Sequence, residues 1–235
     1  MNTIKILDKQ TDFIAVHKPA GIGFHRENDQ PGLFQQVQQQ TGLDSLFPVH
    51  RLDKITSGIV LFATHQEAAK AFGVLFENHQ IEKYYLALAA SKPSKKQGLI
   101  KGDMEKSRRG TWKLARSTHN PAITQFISYG TPLGVRIFLL KPHTGKTHQL
   151  RVALKSLGSP ILGDTLYGGT SIDKTISKTA DRGYLHAFAI RFSLGEKRYA
   201  YCTLPETGTW FNRPEISTML SRQLFPPWEV PFPKL

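Results

Sequence analysis

An aspartate stands beside an arginine in the segment from His50 to Ala63, which reads HRLDKITSGIVLFA. Asp53 precedes a small polar turn, and an apolar run follows that is typical of a buried strand. A carboxylate placed at the end of such a strand is ionised at neutral pH and can act as a nucleophile or a base. The alternative is an ordinary turn aspartate whose side chain bonds the backbone of Thr56 or Ser57.

The chain is strongly basic, which indicates a polyanionic partner rather than a small anion. Its 235 residues contain 31 Lys and Arg against 18 Asp and Glu, a formal charge of +13. The excess is greatest between Lys92 and Arg116, where nine basic residues face two acids. Such a surface attracts phosphate backbones and makes binding sensitive to salt. A basic surface without a nucleic-acid partner remains the alternative.

A second group of polar residues lies between His143 and Arg151, in the sequence HTGKTHQLR. Its Gly-Lys-Thr resembles a P-loop, but that motif requires a glycine where this chain has Leu140, so a nucleotide hydrolase is not favoured. The apolar spacing that follows predicts a helix over 147–157, with His148, Arg151 and Lys155 on its polar flank. Those residues form either a solvated basic face or a set that holds a carboxylate from elsewhere in the chain.

Two adjacent tyrosines begin a predicted strand over 81–89. Alternation places Tyr84 and Tyr85 on opposite faces, so one is expected to pack in the core and the other to face a surface or a cleft. A tyrosine in a basic cleft is a stacking platform for a nucleobase. Strand tyrosines that only pack are the alternative.

Several kinds of site are not indicated by the sequence. Cys202 is the only cysteine, which excludes an intrachain disulfide and a cysteine-based metal cluster. His143 and His148 have no other ligand nearby, so we expect no metal. No apolar run approaches the roughly 20 residues of a membrane helix, and the N-terminus is unlike a signal peptide. We therefore expect a cytoplasmic protein.

The pattern of elements predicts an α+β fold with a mixed, largely antiparallel sheet flanked by helices and loops. We expect one domain over 1–235, built from two closely packed halves. The window over 92–116 is too polar for a core element and is predicted as an extended loop or hairpin. The proline-rich tail over 214–235 is predicted to be irregular.

An ordered series of motifs resembles the RluA-type pseudouridine synthases. Most of the chain takes part in it, in the following segments: Val16–Gly21 resembles the "NKPAG" segment, with His17 in place of asparagine; His50–Ala63 resembles "HRLDxxTSGxxLxA" at every fixed position; Lys83–Ala87 resembles "KxYxA"; Thr144–Val152 resembles "TGRTHQLRV", with Lys146 in place of arginine; Ser159–Gly168 resembles "HPIxGDxxYG"; and Leu185–Ala187 resembles "LHA".

The resemblance implies a single pseudouridine synthase catalytic domain with a catalytic cleft across the sheet. It also implies that the chain isomerises uridine to pseudouridine in tRNA or rRNA, with no cofactor. Asp53 would be the catalytic carboxylate, Arg151 would pair with it, and Tyr85 would stack on the target uracil. Arg51 would enter the RNA stack in place of the flipped uridine. The remaining RNA contacts would come from His50, Lys83, Lys146, His148, Arg108 and Arg109, the last two in the basic window.

The resemblance has departures and limits. Ala153 and Ser159 stand where the family often has histidine, which affects RNA contacts rather than catalysis. An N-terminal S4-like domain is not expected, because the "KPAG" segment lies within the first strands. We expect a monomer. A non-catalytic RNA-binding or RNA-chaperone protein on the same fold is the alternative function.

Overall fold

The computed structural model describes residues 3–168 and 174–234. The chain divides into two compact units. The first comprises the described residues up to Glu82 together with Ala187–Leu204, and the second comprises those from Lys83 to His186 and from Pro205 onward. Among the described residues, no helix is long and apolar enough to cross a membrane.

Strands and helices follow one another in an order that mixes both types. The strands are β1 (Lys5–Lys9), β2 (Phe13–Lys18), β3 (Phe47–Pro48), β4 (Thr56–Ala63), β5 (Glu82–Ala89), β6 (Gln97–Gly102), β7 (Met104–Lys106), β8 (Trp112–Leu114), β9 (Ala122–Gly130), β10 (Arg136–Pro142), β11 (Leu185–Leu194) and β12 (Lys197–Cys202). The helices are α1 (Leu33–Thr41), α2 (Gln66–Glu77), α3 (Gln149–Ser156), α4 (Lys174–Lys178) and α5 (Pro214–Gln223), with a 3-10 turn at Arg108–Gly110.

The first unit is built around β4, in which every residue is buried. Its strand order is β1-β2-β4-β11, with β12 on β11 and β3 on β4. The pairs β1–β2, β2–β4, β3–β4 and β11–β12 are antiparallel. Alternate residues of β2 and β4 point into one apolar cluster, where the Phe13 ring lies 5.7 Å from that of Phe72 in α2. This packing fixes the strand that follows Asp53.

The predicted small polar turn at Thr56 and Ser57 is wrong, because both residues are buried at the start of β4 and the turn lies at residues 54–55. Gly58 also belongs to β4 and lies against Ala187 of β11. Its φ is +109°, and a Cβ there would lie 2.2 Å from the carbonyl oxygen of Ala187 in β11. Only glycine permits both this backbone conformation and the close approach of the two strands.

The second unit is an antiparallel sheet in the order β5-β10-β9-β6. Helix α3 packs against β9 and against β8 of the small β7–β8 hairpin. The largely antiparallel, mixed architecture of the two units confirms the predicted fold class. The cleft across the sheet stays a prediction.

Two predictions made from composition are corrected. The basic window is not only a loop, because β6 pairs with β9 and buries Ile100. The hairpin that follows, β7–β8, agrees with the prediction.

The tail over 214–235 is not irregular throughout, because Pro214–Gln223 forms α5. Proline is favoured in the first helical turn, and Ile216 and Leu220 are buried one turn apart. Residues 224–234 contain no helix or strand, and Leu235 lies outside the described residues.

Candidate active site

Asp53 lies in the turn between β3 and β4 of the first unit. It is half-buried, Arg51 is exposed, and Leu52 between them is buried. The main-chain carbonyl of Asp53 accepts the N–H of Thr56 at 3.0 Å, which closes the turn through the backbone. The segment therefore leads from an exposed arginine to a fully buried strand within a few residues.

A buried lysine holds the backbone around this turn. Lys18 is fully buried, and its Nζ donates to the carbonyls of Thr56 at 2.8 Å, Pro19 at 3.0 Å and Lys54 at 3.3 Å. The carbonyl of Lys54 also accepts the N–H of Gly21 at 2.8 Å. The Lys-Pro-Ala-Gly segment and the Asp53 turn are therefore joined by a network of hydrogen bonds to backbone carbonyls.

His50 ties the same turn to the strand behind it. Its Nε2 accepts the N–H of Leu61 at 3.0 Å, and its ring lies 5.2 Å from that of Phe76 in α2. These contacts give His50 a structural role that the sequence did not indicate. Its RNA contact stays a prediction.

Arg151 is buried in the second unit, and not part of a solvated basic face. Its Nε donates to Oδ2 of Asp164 at 2.7 Å and its Nη2 to Oδ1 at 2.8 Å. The side chains of Arg151 and Asp164 are 7% and 0% exposed. Two parallel hydrogen bonds fix the guanidinium plane, and the buried pair compensates both charges. The sequence left two alternatives for this helix, a solvated basic face or cations that hold a carboxylate. Arg151 follows the second alternative, because it holds the carboxylate of Asp164.

Asp164 and Tyr167 are site residues that the sequence reasoning did not single out. Oδ1 of Asp164 also accepts the N–H groups of Leu166 at 3.0 Å and Tyr167 at 3.1 Å, as a capping aspartate does. The Arg151 guanidinium lies 4.9 Å from the centre of the Tyr167 ring. The three-residue spacing of Asp164 and Tyr167 in the "GDxxYG" motif indicates the capping bond between them, but not their contacts with Arg151.

His148 and Lys146 precede α3 and do not lie on its polar flank. His148 is the residue before the helix, with a left-handed φ of 57°, and its Nδ1 lies 2.9 Å from the Tyr167 hydroxyl. The Nζ of Lys146 donates to Oδ1 of Asn120 at 2.7 Å. The predicted helical spacing of His148, Arg151 and Lys155 is therefore wrong at its first position.

The two tyrosines of β5 differ in burial, as predicted. Tyr84 is 1% exposed and lies under the ammonium of Lys141, 5.2 Å from the ring centre, whereas Tyr85 is half-buried. Burial lowers the pKa of the neighbouring Lys83 ammonium. Tyr85 is therefore the less buried member of the pair.

Four of the nine basic residues of the window lie on the β7–β8 hairpin. Arg108 and Arg109 form the 3-10 turn at its tip, and both are exposed. Lys106 and Lys113 are exposed on its two strands, and Lys113 pairs with Glu105 at 3.0 Å. The hairpin is therefore an exposed, mainly basic element, in which two strands pair over three residues each.

The predicted site residues are divided between the two compact units. The first unit contains His50, Arg51 and Asp53, and the second contains the other predicted site residues, which are Lys83, Tyr85, Arg108, Arg109, Lys146, His148 and Arg151. The pairing of Asp53 with Arg151 joins the two groups and stays a prediction. Over residues 3–168 and 174–234, no group of three or more His, Cys, Asp or Glu side chains is placed to hold a metal ion.

Known proteins match this chain over most of its length. Residues 12–156 match the family described as RNA pseudouridylate synthase. An uncharacterized RNA pseudouridine synthase of Haemophilus influenzae is 44% identical over 96% of this chain and 98% of its own. A tRNA pseudouridine synthase C of Pasteurella multocida is 32% identical over 81% of this chain and 86% of its own.

One further relative and one solved structure are also named as pseudouridine or pseudouridylate synthases. A ribosomal large subunit pseudouridine synthase C of Rickettsia bellii is 34% identical over 73% of this chain and 59% of its own. The solved structure of human RNA Pseudouridylate Synthase Domain Containing 1 has a TM-score of 0.70 and 27% identity, covering 85% of this chain and 82% of its own.

The family match over residues 12–156 and the relative that is 44% identical over 96% of the chain define the class of this protein, an RNA-modifying enzyme. The chain belongs to the RNA pseudouridylate synthase family, of the RluA type. It is therefore an isomerase that acts on RNA.

Proposed function

We propose that this enzyme converts a uridine of tRNA or ribosomal RNA to pseudouridine, with Asp53 as its catalytic carboxylate. The relatives named for tRNA and for the large ribosomal subunit support a structured RNA as substrate. The net charge of +13 and the exposed basic hairpin support the same class of partner.

One observation carries the assignment of Asp53. The aspartate lies between an exposed arginine and a fully buried strand, in a turn whose carbonyls are fixed by the buried Lys18 ammonium. A catalytic group must be held in one position while remaining accessible to substrate. This turn meets both requirements, because its backbone is fixed while Asp53 itself is only half-buried.

In the proposed reaction the C1′–N1 bond of the uridine breaks and a C1′–C5 bond forms after the base rotates. The hydrogen on C5 leaves as a proton, and N1 gains a proton, so the isomerisation needs no cofactor. The carboxylate of Asp53 either adds to C1′, in an ester bond that breaks when C5 attaches, or removes a proton from C2′ that returns there when C5 attaches. Arg151, fixed by Asp164, would keep Asp53 ionised, and Tyr85 would stack on the uracil.

The other polar residues are assigned to RNA. Arg51, which is exposed beside Asp53, would occupy the space that the flipped uridine leaves in the RNA stack. The remaining cations and histidines would contact phosphates or adjacent nucleotides and set the register of the RNA. These are His50, Lys83, Arg108, Arg109, Lys146 and His148. We further propose that the enzyme acts as a cytoplasmic monomer.

The reaction is tested with RNA that carries 5-tritiated uridine, taken from cells that lack this gene. The purified protein is expected to release tritium to water in proportion to the pseudouridine formed, since C5 loses its hydrogen only when the new bond forms. Mapping pseudouridine in tRNA and ribosomal RNA from cells with and without the gene identifies the target. An absence of both tritium release and new pseudouridine in either RNA class would contradict the proposal.

The non-catalytic alternative is not favoured. An RNA-binding or RNA-chaperone protein would need the basic surface, but it would not need a carboxylate fixed beside an exposed arginine. Binding of RNA without tritium release by wild-type protein is the result that would favour it.

A further inference from the structure

Tyr167 contacts both the basic hairpin and the buried arginine of the second unit. It is 1% exposed. Its hydroxyl accepts the backbone N–H of Trp112 at 2.9 Å and lies 2.9 Å from Nδ1 of His148. Its ring lies 4.9 Å from the Arg151 guanidinium carbon and 5.5 Å from Nζ of Lys155. One side chain therefore touches the element before α3, two residues of α3 and the hairpin.

The hydroxyl is placed to anchor the hairpin. Trp112 is the first residue of β8, directly after the tip that carries Arg108 and Arg109. The β7–β8 ladder pairs only three residues on each strand. A two-stranded hairpin of this size is marginally stable alone, so its orientation depends on contacts with the rest of the unit. The bond from the Trp112 N–H to the buried hydroxyl is one such contact.

The ring and the backbone N–H of Tyr167, unlike its hydroxyl, belong to the surroundings of Arg151. Asp164 accepts the N–H of Tyr167 and two N–H groups of Arg151, so these three residues form one cluster. The aromatic face then restricts the guanidinium from a second direction. Removing the hydroxyl leaves both of these interactions intact.

We propose that Tyr167 is a positioning residue that serves RNA binding through its hydroxyl and the chemical step through its ring. The inference rests on the proposed function, in which the hairpin holds RNA and Arg151 supports Asp53. The hydroxyl fixes the hairpin in the orientation that receives the RNA backbone. The ring holds Arg151 in the plane set by Asp164.

The contributions of the hydroxyl and of the ring can be separated by measuring KM and kcat for Tyr167→Phe and Tyr167→Leu. The phenylalanine keeps the ring and loses the hydrogen bonds of the hydroxyl to the Trp112 N–H and to His148. KM for tritiated RNA is therefore expected to rise about tenfold, with kcat changed less than about twofold. The leucine loses the ring as well, and kcat is expected to fall in addition. Filter binding with bulk tRNA and ribosomal RNA is expected to show the same weakening in both variants.

Tyr184→Phe is the matched control for loss of stability. Tyr184 is also fully buried in the second unit, and its hydroxyl likewise accepts a tryptophan N–H, that of Trp210, at 3.0 Å. Its hydroxyl donates to Asp181 and not to a histidine. The control is expected to lower the melting temperature without changing KM or RNA affinity.

Equal effects of Tyr167→Phe and Tyr184→Phe on KM would overturn the inference, as would a KM within twofold of wild type for Tyr167→Phe. If Tyr167→Leu fails to fold, the comparison of the two phenylalanine variants still decides the role of the hydroxyl. Wild-type protein without tritium release would contradict the proposed function instead, and filter binding would still decide whether Tyr167 anchors the hairpin.

Discussion

Asp53 and Arg51 occupy neighbouring positions with different environments, which suits different roles. The half-buried aspartate belongs to a turn fixed by Lys18, whereas the arginine is exposed. A reacting group needs a fixed position, and a side chain that enters an RNA stack needs freedom to extend into solvent. The two residues can therefore be separated experimentally.

Replacing Arg51 by alanine should slow turnover more than it weakens RNA binding. Filling the space left by a flipped base offsets part of an unstacking cost of a few kcal/mol, so the rate of pseudouridine formation should fall about tenfold to 100-fold. Affinity for RNA should change less than about threefold, because docking precedes flipping. Single-turnover rates and filter binding measure the two effects.

Arg26→Ala provides the control for Arg51, since Arg26 is also exposed in the first unit. It removes the same charge at a position that the proposal does not assign to the RNA stack. If Arg51→Ala changed affinity alone, or if both variants slowed turnover equally, the stacking role would be wrong.

At the scale of elements, the β7–β8 hairpin should dominate the salt dependence of RNA binding. Charge reversal of Lys106, Arg108 and Arg109 to glutamate should lower affinity and flatten the plot of log affinity against log salt. The slope should change by about one unit for each RNA phosphate that the variant no longer neutralises. Titrations with bulk RNA at several salt concentrations measure the slope.

The matched control is charge reversal, by substitution to glutamate, of Lys9, Lys197 and Arg198. It alters the net charge by the same amount. These residues are exposed in the first unit, away from the hairpin sequence. An unchanged slope for the hairpin variant, or the same slope for both variants, would show that the hairpin does not contact the RNA backbone.

Elements with a clear period were predictable from the sequence, and elements that depend on context were not. Helix α2 and strands β2, β4 and β5 follow from local apolar spacing. Strand β6 is polar outside Leu99 and Ile100 and exists because β9 provides its hydrogen-bond partners. Helix α5 was obscured by prolines, although Pro214 lies at a position where proline favours a helix start.

Contacts between side chains that are distant in the sequence were the least predictable part of the site. Asp53, Arg151 and Tyr85 stood out because their motifs resemble a family. The bidentate bond of Arg151 to Asp164, and the ring packing of Tyr167, depend on how a loop after α3 returns to it. Residue spacing does not specify such a return, so the anchors of the hairpin and of the arginine emerged only from the structure.

At the scale of the whole molecule, the two compact units divide the assigned residues between them. Asp53 and Arg51 belong to one, and Arg151, the tyrosines and the basic hairpin to the other. The proposed chemistry uses residues of both units, whereas a basic surface alone is enough for RNA binding. Chemistry and binding should be separable by a single substitution at Asp53.

Asp53→Asn is the most direct test of this central claim. The substitution keeps the size of the side chain and removes its charge, so pseudouridine formation should fall at least about 1,000-fold. RNA affinity, measured by filter binding on the same protein preparation, should stay within about threefold of wild type. Tritium release and RNA affinity measured side by side on wild type and Asp53→Asn decide the matter. Loss of pseudouridine with RNA binding retained is the predicted result, and pseudouridine formation at the wild-type rate would contradict it.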